Sequence, residues 1–478
     1  HLYCSVQRCN SALRVLNAAT DEQVNGRVSR IAEMKVLRAH YYFELSRLFN
    51  KIPYFDENVE ISQYPDIPNN EFTRDEILSM LAEEMLDAAE QLPASQPEVG
   101  RIHKYIALAY AAKIKLYQAY QQDETTHAVT SINKELLREV VSLCDQVTAS
   151  NRYGLLDDFQ GLDLVANENG KESVFAIQYS MNDGTESAGR INWSNLLNSP
   201  GGGSPYGGDG FFLPSQDLIN AYQTDANGLP DFNYQSKSDY SWAVLNNGVY
   251  TLQNTTPNVD PRLDFVVGRP TITWKTYPDK PCEGWVRDKE TYGYNCAKRF
   301  WVSPESSDMF NGWPWGASQL NWQIIRYADI LLWKAEALIE LNEGNGLETA
   351  RDLINQIRNR ARNSAYVKDF NDHSKYAANY LVNPYPADVW NQDYARQALR
   401  WETRLEKALE GERFFDLVRW GIVETTMNKY ITAESDNRIY YANAHFTGGK
   451  DEYYPVPNNQ YGFSGGKYVQ NPGYAPFN

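Results

Sequence analysis

The chain of 478 residues carries 61 Asp plus Glu against 45 Lys plus Arg, a net charge of −16, with 42% hydrophobic and 22% charged residues. That balance points to a soluble globular protein and against nucleic-acid binding, which rests on neutralising phosphates with cations. No apolar run approaches the roughly 18 residues of a membrane span, and length alone allows two or three domains.

The chain opens His1-Leu2-Tyr3-Cys4, without Met and with a helical pattern (Val6, Leu13, Leu16) already under way. No signal peptide is visible, and an upstream segment with any targeting signal is expected to be missing. Ile31, Met34, Arg38, Tyr41, Tyr42, Leu45, Leu48 and Phe49 recur at helical spacing up to Pro53. The aromatic band Tyr41, Tyr42, Phe43 and Phe49 is read as core. Thr73-Arg-Asp-Glu76 is a capping box, and the helix it opens runs through Ile77, Leu81, Met85 and Ala88 to Leu92 and Pro93. A helix with Tyr105, Ala109, Ala112, Leu116 and Tyr120 follows across a short loop, so the pair must be antiparallel. Lys134 to Ala149 adds another.

From about 151 to 322 Gly, Asn, Asp, Ser and Pro become frequent, as in Ser199-Pro-Gly-Gly-Gly-Ser-Pro-Tyr-Gly-Gly-Asp-Gly210. Val174–Tyr179 reads as a strand, and Ser215 as the cap of a short helix. Residues 265–322 hold Trp274, Trp285, Trp301, Trp313, Trp315 and Trp322, half of the twelve tryptophans. Their Gly/Pro/Asn setting places them on loops, where binding residues concentrate. Flat apolar rings on a polar loop surface suit sugars; a protein-binding surface and a buried mini-core are the competing readings. Roughly half of the rings are expected in the core, since Trp is highly buried on average. Trp322 is placed there, at the entry to a helix near Gln323. Trp285, Trp313 and Trp315, each beside Gly or Pro, are the first glycan-binding candidates. Trp274, Tyr292 and Trp301 follow, and Trp193 and Tyr206 of the other glycine-rich loop complete the set.

Helix returns with Ile324, Tyr327, Ala328, Leu331, Leu332, Ala335, Leu338 and Ile339, turns at Asn342–Gly346, and comes back through Ala350, Leu353, Ile354 and Ile357. A last long helix is predicted over 391–410 with Gly411 beyond it. Arg404, Glu406, Glu410, Arg413, Asp416 and Arg419 are assigned to it as a charge cluster. That cluster reads as a salt-bridge network rather than as the acid–base pair of a glycosidase. The tail from 426 is Tyr/Asn/Gly/Pro-rich and is expected to lie over the surface.

The five cysteines (Cys4, Cys9, Cys144, Cys282, Cys296) form no Cys-x-x-Cys, so a zinc site is not indicated. A Cys282–Cys296 disulfide stapling the tryptophan loop is one open pairing that spacing does not settle. The six histidines are dispersed and give no metal-binding pair. Asn182-Asp183-Gly184 lacks the other ligands of a calcium loop, and no nucleophile elbow, Walker loop or dinucleotide fingerprint occurs.

Helical hairpins of similar size flank the insert, like tetratricopeptide stacking with its repeat of roughly 34 residues but without the strict signature. The chain is therefore read as mostly α. It is one composite domain: helices over 1–150, a loop-rich ligand-binding insert over 151–322, helices over 323–425 and a C-terminal segment over 426–478.

Four stretches, in order, are similar to the SusD/RagB family of outer-membrane nutrient-binding lipoproteins. They are Ile31–Tyr54 with its Leu37-Arg-Ala-His-Tyr-Tyr42; Arg326-Tyr-Ala-Asp-Ile-Leu-Leu-Trp-Lys-Ala-Glu-Ala-Leu338; Arg404-Leu-Glu-Lys-Ala-Leu-Glu-Gly-Glu-Arg-Phe-Phe-Asp-Leu-Val-Arg-Trp-Gly421; and Tyr454-Pro-Val-Pro-Asn458 with Gln470-Asn-Pro-Gly-Tyr474. Asn50 replaces a usual Gly, and Asp329 a usual Glu. The resemblance implies a SusD-like fold and a lipid-anchored protein on the outer face of the outer membrane in Bacteroidetes. It also implies a partnership with a SusC-like TonB-dependent barrel, capture of oligosaccharides (or, in the RagB branch, peptides), no catalytic activity and no obligatory cofactor. Cys4 lies too close to the Leu-Arg-Ala motif to be the family's lipidated cysteine, so the anchor is expected upstream. The alternatives carried forward are a peptide-binding protein on the same scaffold and a glycoside hydrolase.

Overall fold

A computed structural model of the chain describes residues 1–185, 189–201, 203–277, 284–313 and 316–477. Five helices open it: α1 (Leu2–Ala18), α2 (Arg27–Phe49), α3 (Arg74–Gln91), α4 (Lys104–Ala119) and α5 (Lys134–Ala149). Each packs on the next. The capping box forms as the sequence predicts: Thr73 accepts from the Glu76 N–H, and the Glu76 carboxylate answers at the Thr73 N–H at 2.8 Å. Asn133 caps α5 through the Glu135 and Leu136 amides. Ile77, Leu81, Met85 and Ala88 turn inward from α3. Helix α4 is buried nearly all round, as its apolar sequence requires of a central helix. The hairpin β1 (Tyr120–Gln122) and β2 (Val129–Ile132) joins α4 to α5.

The second helical block is α10 (Tyr327–Leu341), α11 (Gly346–Asn363), α12 (Gln392–Glu406), α13 (Arg413–Arg419) and α14 (Val423–Glu434), with a short α15 (Asn458–Phe463) near the end. Helix α10 packs against α5, and one continuous core runs from Val6 to Tyr453 across both blocks. Between them the insert contributes β3 (Ser173–Ile177), α6 (Ser194–Asn198), α7 (Gln216–Ala221), β4 (Gln223–Thr224), β5 (Ala243–Asn246), β6 (Val249–Leu252), β7 (Asn258–Val259), α8 (Arg262–Val266), β8 (Val267–Gly268), α9 (Lys289–Tyr292), β9 (Cys296–Ala297) and β10 (Trp322–Arg326). Its strands form antiparallel pairs: β3 with β10, β4 with β7, β5 with β6 and β8 with β9.

Three expectations need correction. Residues 322–326 are strand β10 rather than the start of a helix. Trp322 faces Ile177 across the ladder, half-buried, because the pairing with β3 overrides the helical reading of a short apolar run. The charge cluster is split over two helices, since the chain turns after Glu406 with left-handed backbone at Leu409 (φ 67°) and Gly411 (φ 81°) before α13 begins. The C-terminal segment begins inside α14, and further on Phe446, Tyr453, Val456 and Tyr468 turn inward and are buried.

The charges of α12 and α13 form buried networks. Glu406 meets Arg262 (3.2 Å), Arg326 (3.1 Å) and Arg360; Glu410 meets Arg326 (2.7 Å), Arg299 (3.2 Å) and Lys407 (2.6 Å). Glu402 bridges Arg262 (2.6 Å) and Arg358 (3.0 Å), and Glu172 holds Arg326 (2.8 Å) and Arg360 (3.2 Å). Burial disfavours the Glu406 carboxylate, but the surrounding guanidiniums outweigh it and hold its pKa down at about 2. A second knot sets Glu336 of α10 against Arg419, the Tyr120 hydroxyl (2.6 Å) and the Trp420 indole N–H (2.8 Å). These pairs bolt insert to helices. Glu406 and Glu410 face arginines rather than solvent, so the geometry does not offer them as a glycosidase's carboxylate pair.

Candidate functional site

The structure sorts the predicted rings into two groups. Tyr206, Trp274, Trp285 and Trp301 form a closed cluster at 3%, 1%, 3% and 2% exposure. Trp274 meets Tyr206 and Trp285 edge-on, both at 5.5 Å, and Tyr206 lies 4.7 Å from Trp301. Their polar atoms are satisfied within the protein: the Trp274 indole donates to the Ala297 carbonyl (3.1 Å), and the Tyr206 hydroxyl to the Val302 carbonyl. A ligand cannot stack on these four side chains, so their assignment as glycan-binding residues is corrected to a mini-core. Buried Cys296 stands in the same cluster and is disulfide-bonded, while Cys282, its expected partner, lies outside the described residues. Trp315 also lies outside them.

Trp313 and Trp193 are open to water, at 63% and 46% exposure. Trp313 sits at the turn of a hairpin in which the Phe310 N–H donates to Ala317 (2.9 Å) and the Gln319 N–H to Asp308 (3.1 Å). The hairpin rests on the mini-core. Met309 packs against it, and a Cβ at Gly316 would come within 2.8 Å of the Trp301 ring and 3.0 Å of Tyr206. Only a glycine fits there, and its φ of 75° favours glycine as well. Trp193 is tied to the same hairpin. The preceding Asn192 pairs antiparallel with Ser318, its N–H donating at 2.9 Å, and Ser318 also bridges to Met309. Asn195 anchors α6 to the Phe300 carbonyl at 3.1 Å.

Sequence reasoning missed two apolar members of this surface. Leu197, half-exposed, stands four residues after Trp193 and therefore on the same face of α6. Phe211, the most exposed large apolar side chain described, is fixed beside it by a Phe211 N–H bond to the Leu197 carbonyl (3.0 Å). Helical spacing of apolar residues inside a glycine-rich loop was the available signal. Trp322 adds a half-buried ring 4.6 Å from Phe300, at the end of the β3–β10 ladder.

Polar groups border the rings. Asp308 takes the Gln319 amide (2.7 Å), and Asn321 bridges the Tyr179 N–H (2.7 Å) and Gln178 (3.1 Å). The Asn321 N–H donates to Glu168 at 2.6 Å, yet burial still pushes that carboxyl up to about 7. Gln178 also lines a cleft of about 510 Å³ shared with Gln96, Arg101, His103, Arg152 and Asn169. Burial in that cleft, with Arg152 near, takes His103 down to about 4, so its imidazole is neutral at physiological pH. Tyr292 is exposed but belongs elsewhere: its ring lies 6.0 Å from Tyr440, and Arg438 donates to its carbonyl.

A two-block helical platform carries an irregular insert that displays aromatic rings, which is the architecture of the SusD-like structures it resembles. Residues 171–474 match the model of the SusD family, and the chain belongs to that family. It is 22% identical over 439 residues to a SusD-like protein of Bacteroides ovatus, an alignment covering 87% of this chain and 64% of the relative. The chain thus spans less than two thirds of that protein. Among solved structures it is similar to a SusD-like carbohydrate-binding protein from Bacteroides fragilis (TM-score 0.69, 21% identity, 97% of this chain and 83% of that one). It is also similar to a laminarin-binding SusD-like protein (TM-score 0.67, 20% identity, 99% and 84%).

Proposed function

We propose that the protein is a cell-surface glycan-binding protein that captures oligo- or polysaccharide and passes it to a SusC-like TonB-dependent transporter. The observation that carries this reading is the exposure of Trp193 and Trp313, the second on a hairpin that rests on a buried aromatic cluster and the first joined to that hairpin through the Asn192–Ser318 bridge. Exposed indole faces of this kind offer dispersion and C–H contacts to the apolar face of a sugar ring. In single-strand nucleic-acid platforms stacking is worth about 1–3 kcal/mol per ring. Leu197 and Phe211 extend the apolar surface, and the part-exposed Asp308 and Gln319 provide hydroxyl partners. Membership of the SusD family, and the carbohydrate- and laminarin-binding descriptions of similar structures, support the same class of ligand. The lipid anchor and the barrel partner rest on family membership alone. Binding transfers no bond, so we assign no catalytic residue and no cofactor.

Calorimetry against a panel of plant, host, bacterial and β-glucan polysaccharides, laminarin included, tests the reading. Saturable binding of at least one polysaccharide, with no reducing ends released, is expected. Binding of a peptide library with no glycan bound would overturn it.

A further inference from the structure

On a different part of the molecule a cavity of about 340 Å³ opens between α7 and helices α12 to α14. That volume falls in the range of small-molecule sites. Three cations line it: Arg404, Lys407 and Arg413. Two are neutralised. Arg404 pairs with Asp217 at 2.6 Å, and Lys407 pairs with Asp329 at 2.8 Å and Glu410 at 2.6 Å. Arg413 makes no ion pair among the described residues. Its one hydrogen bond there is a long one, from Nη1 to the Arg400 carbonyl at 3.4 Å.

The chain's net charge is −16, and Arg396, Arg404 and Arg419 of α12 and α13 are met by carboxylates, whereas Arg400, like Arg413, makes no ion pair among the described residues. The Arg413 guanidinium lies 5.8 Å from the Trp420 ring, a face already approached by Arg400 and Arg419 at 5.3 Å. It stands among like charges, with the Asp416 and Asp217 carboxylates acting in the other direction, and most of its five N–H donors meet no acceptor among the described residues. Burial and the neighbouring Arg404 push it down to about 9, so it is still cationic at physiological pH. On the far wall α14 brings Thr426, whose hydroxyl makes no hydrogen bond among the described residues, and Met427. The cavity therefore offers one unmatched guanidinium, a hydroxyl and an apolar floor from Leu218, Leu417 and Met427.

We propose that this cavity is a second ligand site, separate from the Trp193–Trp313 surface, which takes a small sugar bearing an oxyanion. Arg413 binds the anion and Thr426 donates a hydrogen bond. A uronate carboxylate and a sulfate ester share the planar-fork chemistry that a guanidinium recognises.

The test is titration calorimetry of the whole chain with glucuronate, glucose 6-sulfate and glucose. Wild type is expected to bind at least one of the two acidic sugars and not glucose, and which one binds identifies the anion. Arg413→Met is expected to weaken that binding at least tenfold. Thr426→Glu, which supplies the cavity with its own carboxylate, is expected to abolish it while circular dichroism stays unchanged. The Trp193→Ala/Trp313→Ala variant is expected to bind the acidic sugar as wild type does, so failure of this site and failure of the glycan surface are distinguishable. Absence of binding by wild type, equal binding of glucose, or acidic-sugar binding that survives in folded Thr426→Glu would overturn the proposal.

Discussion

Two groups of aromatic residues within the same loop-rich insert have opposite fates. Trp274, Trp285, Trp301 and Tyr206 are sealed in a mini-core, whereas Trp193 and Trp313 stand in water. Composition does not separate them. Trp285 follows a glycine, and so does Trp313. The difference lies in what arrives from elsewhere in the chain. Trp274 finds the Ala297 carbonyl for its indole N–H, and Gly316 lets a hairpin close over Trp301. In the proposed function, the buried group is a foundation for the exposed one. On that reading the packed rings hold in place the hairpin that displays the rings proposed to bind.

This contrast can be broken from below. Arg326 holds Glu172, Glu406 and Glu410 together. Removing one partner of a buried network strands the remaining charges, at about 3–5 kcal/mol. Arg326→Ala is expected to lose that much stability in urea unfolding, with insert and helices loosening together. Trp274→Ala is expected to cost about 3–5 kcal/mol by the same measurement, from the cavity it opens. It should weaken glycan binding only indirectly, through the hairpin.

The exposed group should behave in the reverse way. Trp313→Ala is expected to change stability by no more than about 0.5 kcal/mol, the usual range for surface positions. If Trp313→Ala unfolds the protein as readily as Trp274→Ala, the division into foundation and display is wrong. A smaller effect sharpens the picture. Glu168, under the start of β10, has its pKa raised to about 7, so the folded state holds its proton more tightly than the unfolded chain does. Its contribution to stability is full below its ordinary value and falls as pH rises through the interval up to about 7. Glu168→Gln is expected to flatten this slope in thermal unfolding followed between pH 4.5 and 8.

Much of the helical scaffold was legible from the sequence. The Thr73–Glu76 box and the 3.6-residue stripes of α2, α3 and α10 are local signals, and local signals survive in a one-dimensional reading. The strand at Trp322–Arg326 was not legible. Its partner β3 lies some 150 residues earlier, and a short apolar run suits helix and strand alike. The break between α12 and α13 was hidden too, because a leucine, not a glycine, takes one of the left-handed positions. Of the predicted ring set, Trp313 stands exposed on a hairpin and Trp193 beside a strand bridge to it, Tyr292 joins the C-terminal segment, and the four mini-core residues turn inward. Burial in an irregular loop is set by distant contacts, which leave no periodic trace. Of the charge cluster read as ion pairing, Arg404, Glu406, Glu410, Asp416 and Arg419 do pair, since fully buried carboxylates need guanidinium partners, while Arg413 makes no ion pair among the described residues.

The most direct test of the central claim is affinity electrophoresis in gels containing the polysaccharide that calorimetry selects. It would compare wild type with Trp193→Ala/Trp313→Ala at matched melting temperature. The account predicts that wild type is retarded and the double variant migrates as it does in a gel without polysaccharide. Equal retardation of the two proteins would contradict it.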